Sequence, residues 1–286
     1  MPEGDTILRA AQTLHRVLAG HTVTRFDSVY PAVTRIAEDT PIVGRTIESV
    51  AARGKHLLMT FSGDLILRTH MRMNGSWHLY RTGARWLRPA SDMRVLVATA
   101  DAVAVGFNVP IAELLSRREL ERHAQIRHLG PDLLAGAAGG YQYEIDLPEI
   151  IARMRARGRE PIAEVLLNQR VLAGIGNVFK SEILFEAGVD PFRPVSSLTD
   201  ADLERIARIA RDQMAASVLD RAKTLTPAIG RRTTRSLNPA ARLWVYSRGG
   251  KPCRRCGTFI RSKKTGLDAR LTYWCPQCQR MSDSVR

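Results

Sequence analysis

Cys253-Arg254-Arg255-Cys256 and Cys275-Pro276-Gln277-Cys278 are two Cys-x2-Cys knuckles separated by 18 residues. Two thiolate pairs at this distance satisfy a tetrahedral zinc ion and leave room for a β-hairpin between them. Cys253, Cys256, Cys275 and Cys278 are therefore expected to hold one structural Zn2+, which would hold together a module too small to fold on its own core. The chain contains four cysteines, all within the last 34 residues, a pattern of a metal site in a reducing cytosol rather than of a disulfide framework. A closed four-cysteine site does no chemistry itself. Its role is to place the hairpin, which carries Arg261, Lys263, Lys264 and Arg270. A finger that presents a recognition helix needs another ligand order, so phosphate contact is the expectation.

Working outward, residues 221–267 hold 13 Lys or Arg and no Asp or Glu. An ordinary solvated face alternates its signs, and Leu243-Trp244-Val245-Tyr246 inside the run reads as ordered structure rather than a tail. The whole chain carries a formal net charge of +15 over 286 residues. That balance points to a polyanionic partner, most simply a phosphate backbone. Helical periodicity covers residues 147–157, 162–168, 178–187 and 201–222, with Pro161 and Gly158 as punctuation. Gly136-Ala137-Ala138-Gly139-Gly140 reads as a linker.

Before it, the pattern is mainly of strands. His56–Phe61 and residues 65–69 flank the turn Ser62-Gly63-Asp64, and further strands are expected at 22–29, 76–80, 94–99 and 103–107. They follow a helix over 6–18 with Asp5 as its cap. Short strands with regular turns suggest a sandwich or a barrel, and after about residue 110 the pattern turns helical. The fold class is α+β and multidomain, with expected boundaries of 2–132, 133–247 and 248–286. No apolar run approaches the ~18 residues of a membrane span, and Met1-Pro2-Glu3-Gly4-Asp5 lacks the basic start and apolar stretch of a secretory signal. A cytoplasmic protein is expected.

The same N-terminal residues carry chemistry. A small second residue permits removal of Met1, which would expose the secondary amine of Pro2 with a pKa of about 8, partly neutral at cellular pH. A neutral amine attacks a sugar aldehyde carbon and forms an iminium. Glu3 beside it can shuttle protons during ring opening and elimination.

Four segments together resemble one family: the start Met1-Pro2-Glu3-Gly4; Arg53-Gly54-Lys55-His56-Leu57-Leu58; Leu166-Leu167-Asn168-Gln169 running into Ala173-Gly174-Ile175-Gly176-Asn177; and Tyr273-Trp274-Cys275-Pro276-Gln277-Cys278-Gln279. They resemble the formamidopyrimidine-DNA glycosylase and endonuclease VIII family, in the expected order and over nearly the whole chain. The resemblance implies an N-terminal β-sandwich with flanking helices, a helix-two-turns-helix domain and a C-terminal zinc-finger β-hairpin. It implies a bifunctional glycosylase and AP lyase of base excision repair acting on double-stranded DNA with oxidised bases or abasic sites. The damaged nucleotide is turned out of the helix, Pro2 displaces the base through a Schiff base, and β,δ-elimination cleaves the strand, with Glu3 as general acid and base. Lys55 would contact phosphate near the lesion, Asn177 would hold a phosphate beside a helix N-terminus, and Arg270 would bind phosphate and support elimination. Arg72, Met73 and Asn74 occupy the loop that fills the gap left by the extruded nucleotide, with Met73 as an apolar wedge; a core methionine is the competing reading. Arg261 is a further expected phosphate contact. A monomer associated with a bacterial nucleoid is expected.

The Gly4-Asp5 pair, Tyr273-Trp274 and Trp77 look more like the endonuclease VIII branch, which removes mainly oxidised pyrimidines. Thr6 stands where many members carry a second Glu, and Arg72-Met73-Asn74 replaces the Gln-Leu-Tyr of the best-known type. His70 falls on a family-like position but reads as a hydrogen-bonded structural residue. The competing function is a damage- or structure-binding protein of weak catalysis; the intact Pro2, Glu3 and Lys55 argue against it.

Overall fold

A computed structural model of the chain describes residues 2–136, 144–219, 231–234, 236, 238–266 and 269–280. They fall into two compact units, one reaching to His128 and the other starting at Leu129.

The first unit opens with helix α1 (Gly4–Leu18), whose buried stripe Ile7, Ala10, Ala11, Leu14 and Leu18 has the helical spacing read in the sequence. Its start differs from expectation. Glu3, not Asp5, is the residue at the cap position, and Asp5 lies inside the first turn with its side chain fully buried. Strand β1 (Arg25–Ser28), helix α2 (Pro31–Asp39) and strands β2 (Ile47–Arg53), β3 (His56–Phe61), β4 (Leu65–His70), β5 (Ser76–Arg81), β6 (Met93–Ala98), β7 (Ala102–Phe107) and β8 (Ile111–Ser116) follow. Short helices α3 (Arg117–Arg122) and α4 (Ala124–Arg127) close the unit.

The strands form two antiparallel four-stranded sheets, ordered β1-β6-β7-β5 and β2-β3-β4-β8. One core takes Leu57, Met59, Leu67 and Leu114 from one sheet, Trp77, Val95, Val97 and Ala104 from the other, and the α1 stripe. The sandwich-or-barrel alternative thus resolves to a sandwich. The helical expectation after residue 110 fails for β8. Ile111–Ser116 pairs along β4 from His70↔Ile111 to Leu65↔Ser116, and that long-range ladder overrides a six-residue segment with no decisive period.

The second unit contains helices α5 (Leu147–Arg155), α6 (Ile162–Leu167), α7 (Asn177–Ala187) and α8 (Asp200–Leu219), then the hairpin β9 (Arg261–Thr265) and β10 (Arg270–Trp274). Most of the linker quoted above, residues 137–140, lies outside the described residues, as do 220–222 of the last expected helix. Two turns join α6 to α7, tied by the Gln169 amide. Its Nε2 donates to the carbonyls of Leu167 at 2.8 Å and Ile175 at 3.0 Å, and its Oε1 accepts from the Gly174 N–H at 3.0 Å. Gly174 has φ +100°, which an L side chain rarely adopts.

Candidate functional site

In the first unit, the extended backbone of Glu3 lets its carbonyl accept the N–H groups of Thr6 at 2.9 Å and Ile7 at 3.1 Å. Helix α1 therefore starts two residues after Pro2, with Glu3 between them at the cap and fully buried. Asp5, equally buried, has Arg9 Nη2 at 3.7 Å and accepts from the Thr6 hydroxyl at 3.3 Å. The sequence reading took Asp5 for the helix cap; the structure instead encloses it as a second carboxylate in the first turn. Carboxylates in the first turn of a helix are favoured by its positive end.

Lys55 sits with Gly54 at the tip of the β2–β3 hairpin, beyond the last pair Arg53↔His56, and Gly54 takes φ +58°. Arg72, Met73 and Asn74 are exposed between β4 and β5. The turn is closed by the Gly75 N–H donating to the Met71 carbonyl at 2.9 Å. A Cβ on Gly75 would lie 2.6 Å from that oxygen, so only glycine fits. Met73 is 62% exposed and Met71 2%. Met71 is thus the core methionine, and Met73 projects from the loop.

Arg72 adopts φ +45°, and its N–H donates to His70 Nδ1 at 3.1 Å. That bond requires a neutral imidazole. Burial, reinforced by Arg68, holds His70 at a pKa of about 4 and pushes the adjoining His56 down to about 2. Beneath them Arg68, fully buried, pairs with Glu113 and donates to Gln125. His70 is therefore the hydrogen-bonded structural residue it reads as, with the loop backbone as its partner.

In the second unit, the Sγ atoms of Cys253, Cys256, Cys275 and Cys278 all lie within 4.8 Å of one another. The Cys256–Cys275 and Cys253–Cys278 separations are 3.5 and 3.9 Å. A tetrahedron of Zn–S bonds near ~2.3 Å places sulfurs about 3.8 Å apart, so the four thiolates fit one zinc ion. The N–H groups of Arg255 and Cys278 donate to Cys253 Sγ and Cys275 Sγ, each at 3.4 Å, and fold each knuckle around its sulfur. Arg261 and Arg270 do not sit together. Arg261 pairs with Trp274 at the base of the hairpin and Arg270 with Thr265 toward its tip.

Helix α7 meets this hairpin through buried polar side chains. Asn177, at the first position of α7 and 8% exposed, donates from Nδ2 to the Leu271 carbonyl at 2.8 Å. Its Oδ1 has no hydrogen-bond partner among the described residues. Ser181 Oγ accepts the Tyr273 N–H at 3.4 Å. Glu182, wholly buried, accepts the N–H groups of Trp244, Val245 and Tyr246, each at 2.8 Å, together with the Thr233 hydroxyl. Burial pushes its pKa up and the four donors oppose this. Sequence reasoning passed over Lys180-Ser181-Glu182, although three consecutive polar residues between Val178-Phe179 and Ile183-Leu184 are a visible signal.

Three family models match successive stretches of the chain. The formamidopyrimidine-DNA glycosylase N-terminal domain matches residues 1–110, the formamidopyrimidine-DNA glycosylase H2TH domain residues 142–227, and the zinc finger found in FPG and IleRS residues 250–280. The chain is 39% identical to the probable endonuclease 8 2 of Streptomyces coelicolor, covering 98% of this chain and 94% of that one. It is 36% identical to the DNA-(apurinic or apyrimidinic site) lyase Nei2 of Mycolicibacterium smegmatis, over 99% and 100%. It is 31% identical to endonuclease 8 of Escherichia coli, over 98% and 100%. The fold resembles that of Lactococcus lactis Fpg in a complex with DNA containing an abasic site, with a TM-score of 0.78, 22% identity, and coverage of 98% and 100%.

Proposed function

The chain belongs to the formamidopyrimidine-DNA glycosylase and endonuclease 8 family, and from that premise we propose how a DNA glycosylase and AP lyase of base excision repair operates through its residues. With Met1 removed, the Pro2 nitrogen attacks C1′ of an everted damaged nucleotide. The C1′–base bond breaks, the base leaves with a proton, and protonation of O4′ opens the sugar to an iminium. Removal of a C2′ proton then expels the 3′ phosphate, and a second elimination expels the 5′ phosphate. Glu3 is the acid and base for these transfers, and oxidised pyrimidines are the main substrates.

The observation that carries this reading is the fully buried Glu3 carboxylate directly following Pro2, at the start of α1. An enclosed carboxylate adjacent to the nucleophile can deliver protons to the sugar without competition from bulk water. Lys55 on its hairpin tip, Asn177 at the start of α7, and Arg261 and Arg270 on the finger supply phosphate contacts. Arg72, Met73 and Asn74 enter the duplex where the nucleotide leaves. Zinc, held by the four cysteines, supplies structure. With four thiolate ligands it keeps no open position for a reacting water. Among the described residues no helix is long and apolar enough to cross a membrane.

Borohydride added during incubation with abasic-site DNA tests the nucleophile. Protein with a free Pro2 amine is expected to be trapped covalently, and protein retaining Met1 is not. Equal trapping of both would rule out Pro2. Duplexes carrying oxidised pyrimidines or oxidised purines test the substrate class, and activity confined to purines would overturn that assignment.

A further inference from the structure

Lys180 is a lysine with no exposed surface, one turn along α7 from Asn177. Burying an ammonium is costly, and an apolar side chain such as methionine would fill the space more cheaply. What lysine adds is a donor, and here the donor starts a chain of hydrogen bonds. Lys180 Nζ donates to Thr272 Oγ1 at 2.7 Å, and Thr272, also fully buried, lies 2.9 Å from Thr265 Oγ1. The Thr265 hydroxyl reaches the carbonyl of Arg270 at 3.4 Å. An ammonium can only donate. Thr272 therefore receives from Lys180 and can pass its own proton to Thr265, whose hydroxyl can point to Arg270. Lys180 Nζ also lies 3.5 Å from the Leu271 carbonyl, the acceptor of the Asn177 amide. Two consecutive residues of β10, Arg270 and Leu271, are thus held by their carbonyls in a network anchored on one helix.

We infer that Lys180 is a positioning residue for the lyase reaction: through Thr272 and Thr265 it sets the backbone of Arg270, and so the placement of that guanidinium on the phosphate. The inference rests on the proposed role of Arg270. It separates the work of α7 into two parts, with Asn177 toward DNA and Lys180 toward the residue that joins it there.

The experiment is a double-mutant cycle on the full-length zinc protein. Single-turnover elimination is measured on preformed abasic-site DNA for wild type, Lys180→Met, Arg270→Ala and the double variant. Thr272→Val, which removes the relay hydroxyl at nearly constant volume, runs beside them. Lys180→Met is expected to keep its zinc and to slow elimination roughly tenfold, the rate equivalent of one hydrogen bond. In the Arg270→Ala background it should add less than about twofold, because a residue acting through Arg270 has nothing left to position. Thr272→Val should behave in the same way. Normal elimination by Lys180→Met, or a full tenfold loss on top of Arg270→Ala, overturns the inference. If Lys180→Met loses zinc, Thr272→Val decides by the same two criteria. Normal elimination by Arg270→Ala alone would instead defeat the underlying reading of Arg270.

Discussion

Replacing Glu182 by glutamine changes one atom, and the structure shows what that atom does. Oε1 accepts the N–H groups of Val245 and Tyr246, while Oε2 accepts the Trp244 N–H and the Thr233 hydroxyl. A glutamine does best with its carbonyl oxygen in the Oε1 position and its NH2 in the other. Thr233 can then rotate its hydroxyl to accept, but the Trp244 N–H faces another N–H. An orphaned buried donor costs about 1–3 kcal/mol, and loss of charge assistance from the others adds to this. A neutral amide is easier to bury, which offsets part of it. The net expectation is roughly 2 kcal/mol, or about 4–8 °C in Tm for a unit of this size. Glu182→Ala orphans three backbone N–H groups at once, on the order of 3–9 kcal/mol, comparable with the whole stability of a domain. Thermal unfolding by circular dichroism, with zinc release followed by a chromophoric chelator, reads both. The alanine variant should release zinc at a markedly lower temperature, because residues 244–246 lead directly into the first knuckle. A glutamine variant within 1 °C of wild type, or an alanine variant milder than glutamine, would refute the reasoning.

Met73→Ala should leave stability within about 0.5 kcal/mol, since the side chain is 62% exposed. It should cut selectivity for abasic over intact duplex roughly tenfold in competition binding, the worth of one buried methionine; unchanged selectivity would show that Met73 is not the wedge. Removing zinc, or replacing Cys275 and Cys278 by serine, should reduce the slope of log affinity against log salt by about two phosphate contacts, those of Arg261 and Arg270. An unaltered slope would place the finger off the DNA. His56 and His70 have folded pKa values lowered to about 2 and about 4 from 6.5, so the unfolded chain takes up protons first as pH falls. Their contribution is full above pH 6.5 and is lost on acidification, down to about pH 4 for His70 and about pH 2 for His56, at up to about 1.4 kcal/mol per pH unit for each. Denaturant midpoints at pH 7.5 and 5 test this, and His56→Gln should flatten the difference.

Locally encoded features are legible in the sequence. The α1 stripe, the Ser62-Gly63-Asp64 hairpin, the helices of the second unit and the knuckle spacing depend on residues within one or two turns of each other, so periodicity and turn chemistry report them. Strand β8 was not readable, because its state is set by β4, more than forty residues earlier. Helix α2 and strand β2 were missed for a related reason: β2 takes its state from pairing with β3 and packing on α1, and α2 from packing on β1 and β8. In the site, the sequence left Met73 with two readings, an apolar wedge or a core methionine. A turn closed at Gly75 exposes Met73 and buries Met71.

What the sequence determined by itself is the list of chemical parts: a proline and a glutamate at the start, a lysine on a glycine turn, four thiols at zinc spacing, and a basic final third. Those follow from residue type and short spacing, which carry pKa, nucleophilicity and ligand geometry without reference to the rest of the chain. How those parts are held depends on the folded chain. Glu3 and Asp5 are both enclosed at one helix end, the Arg72 backbone rests on a neutral His70, and the polar face of α7 is turned into the finger. A buried polar group such as Glu3, Asp5 or Lys180 depends on neighbours that the fold brings to it. Its cost and its partners exist only once the chain has excluded water from around it.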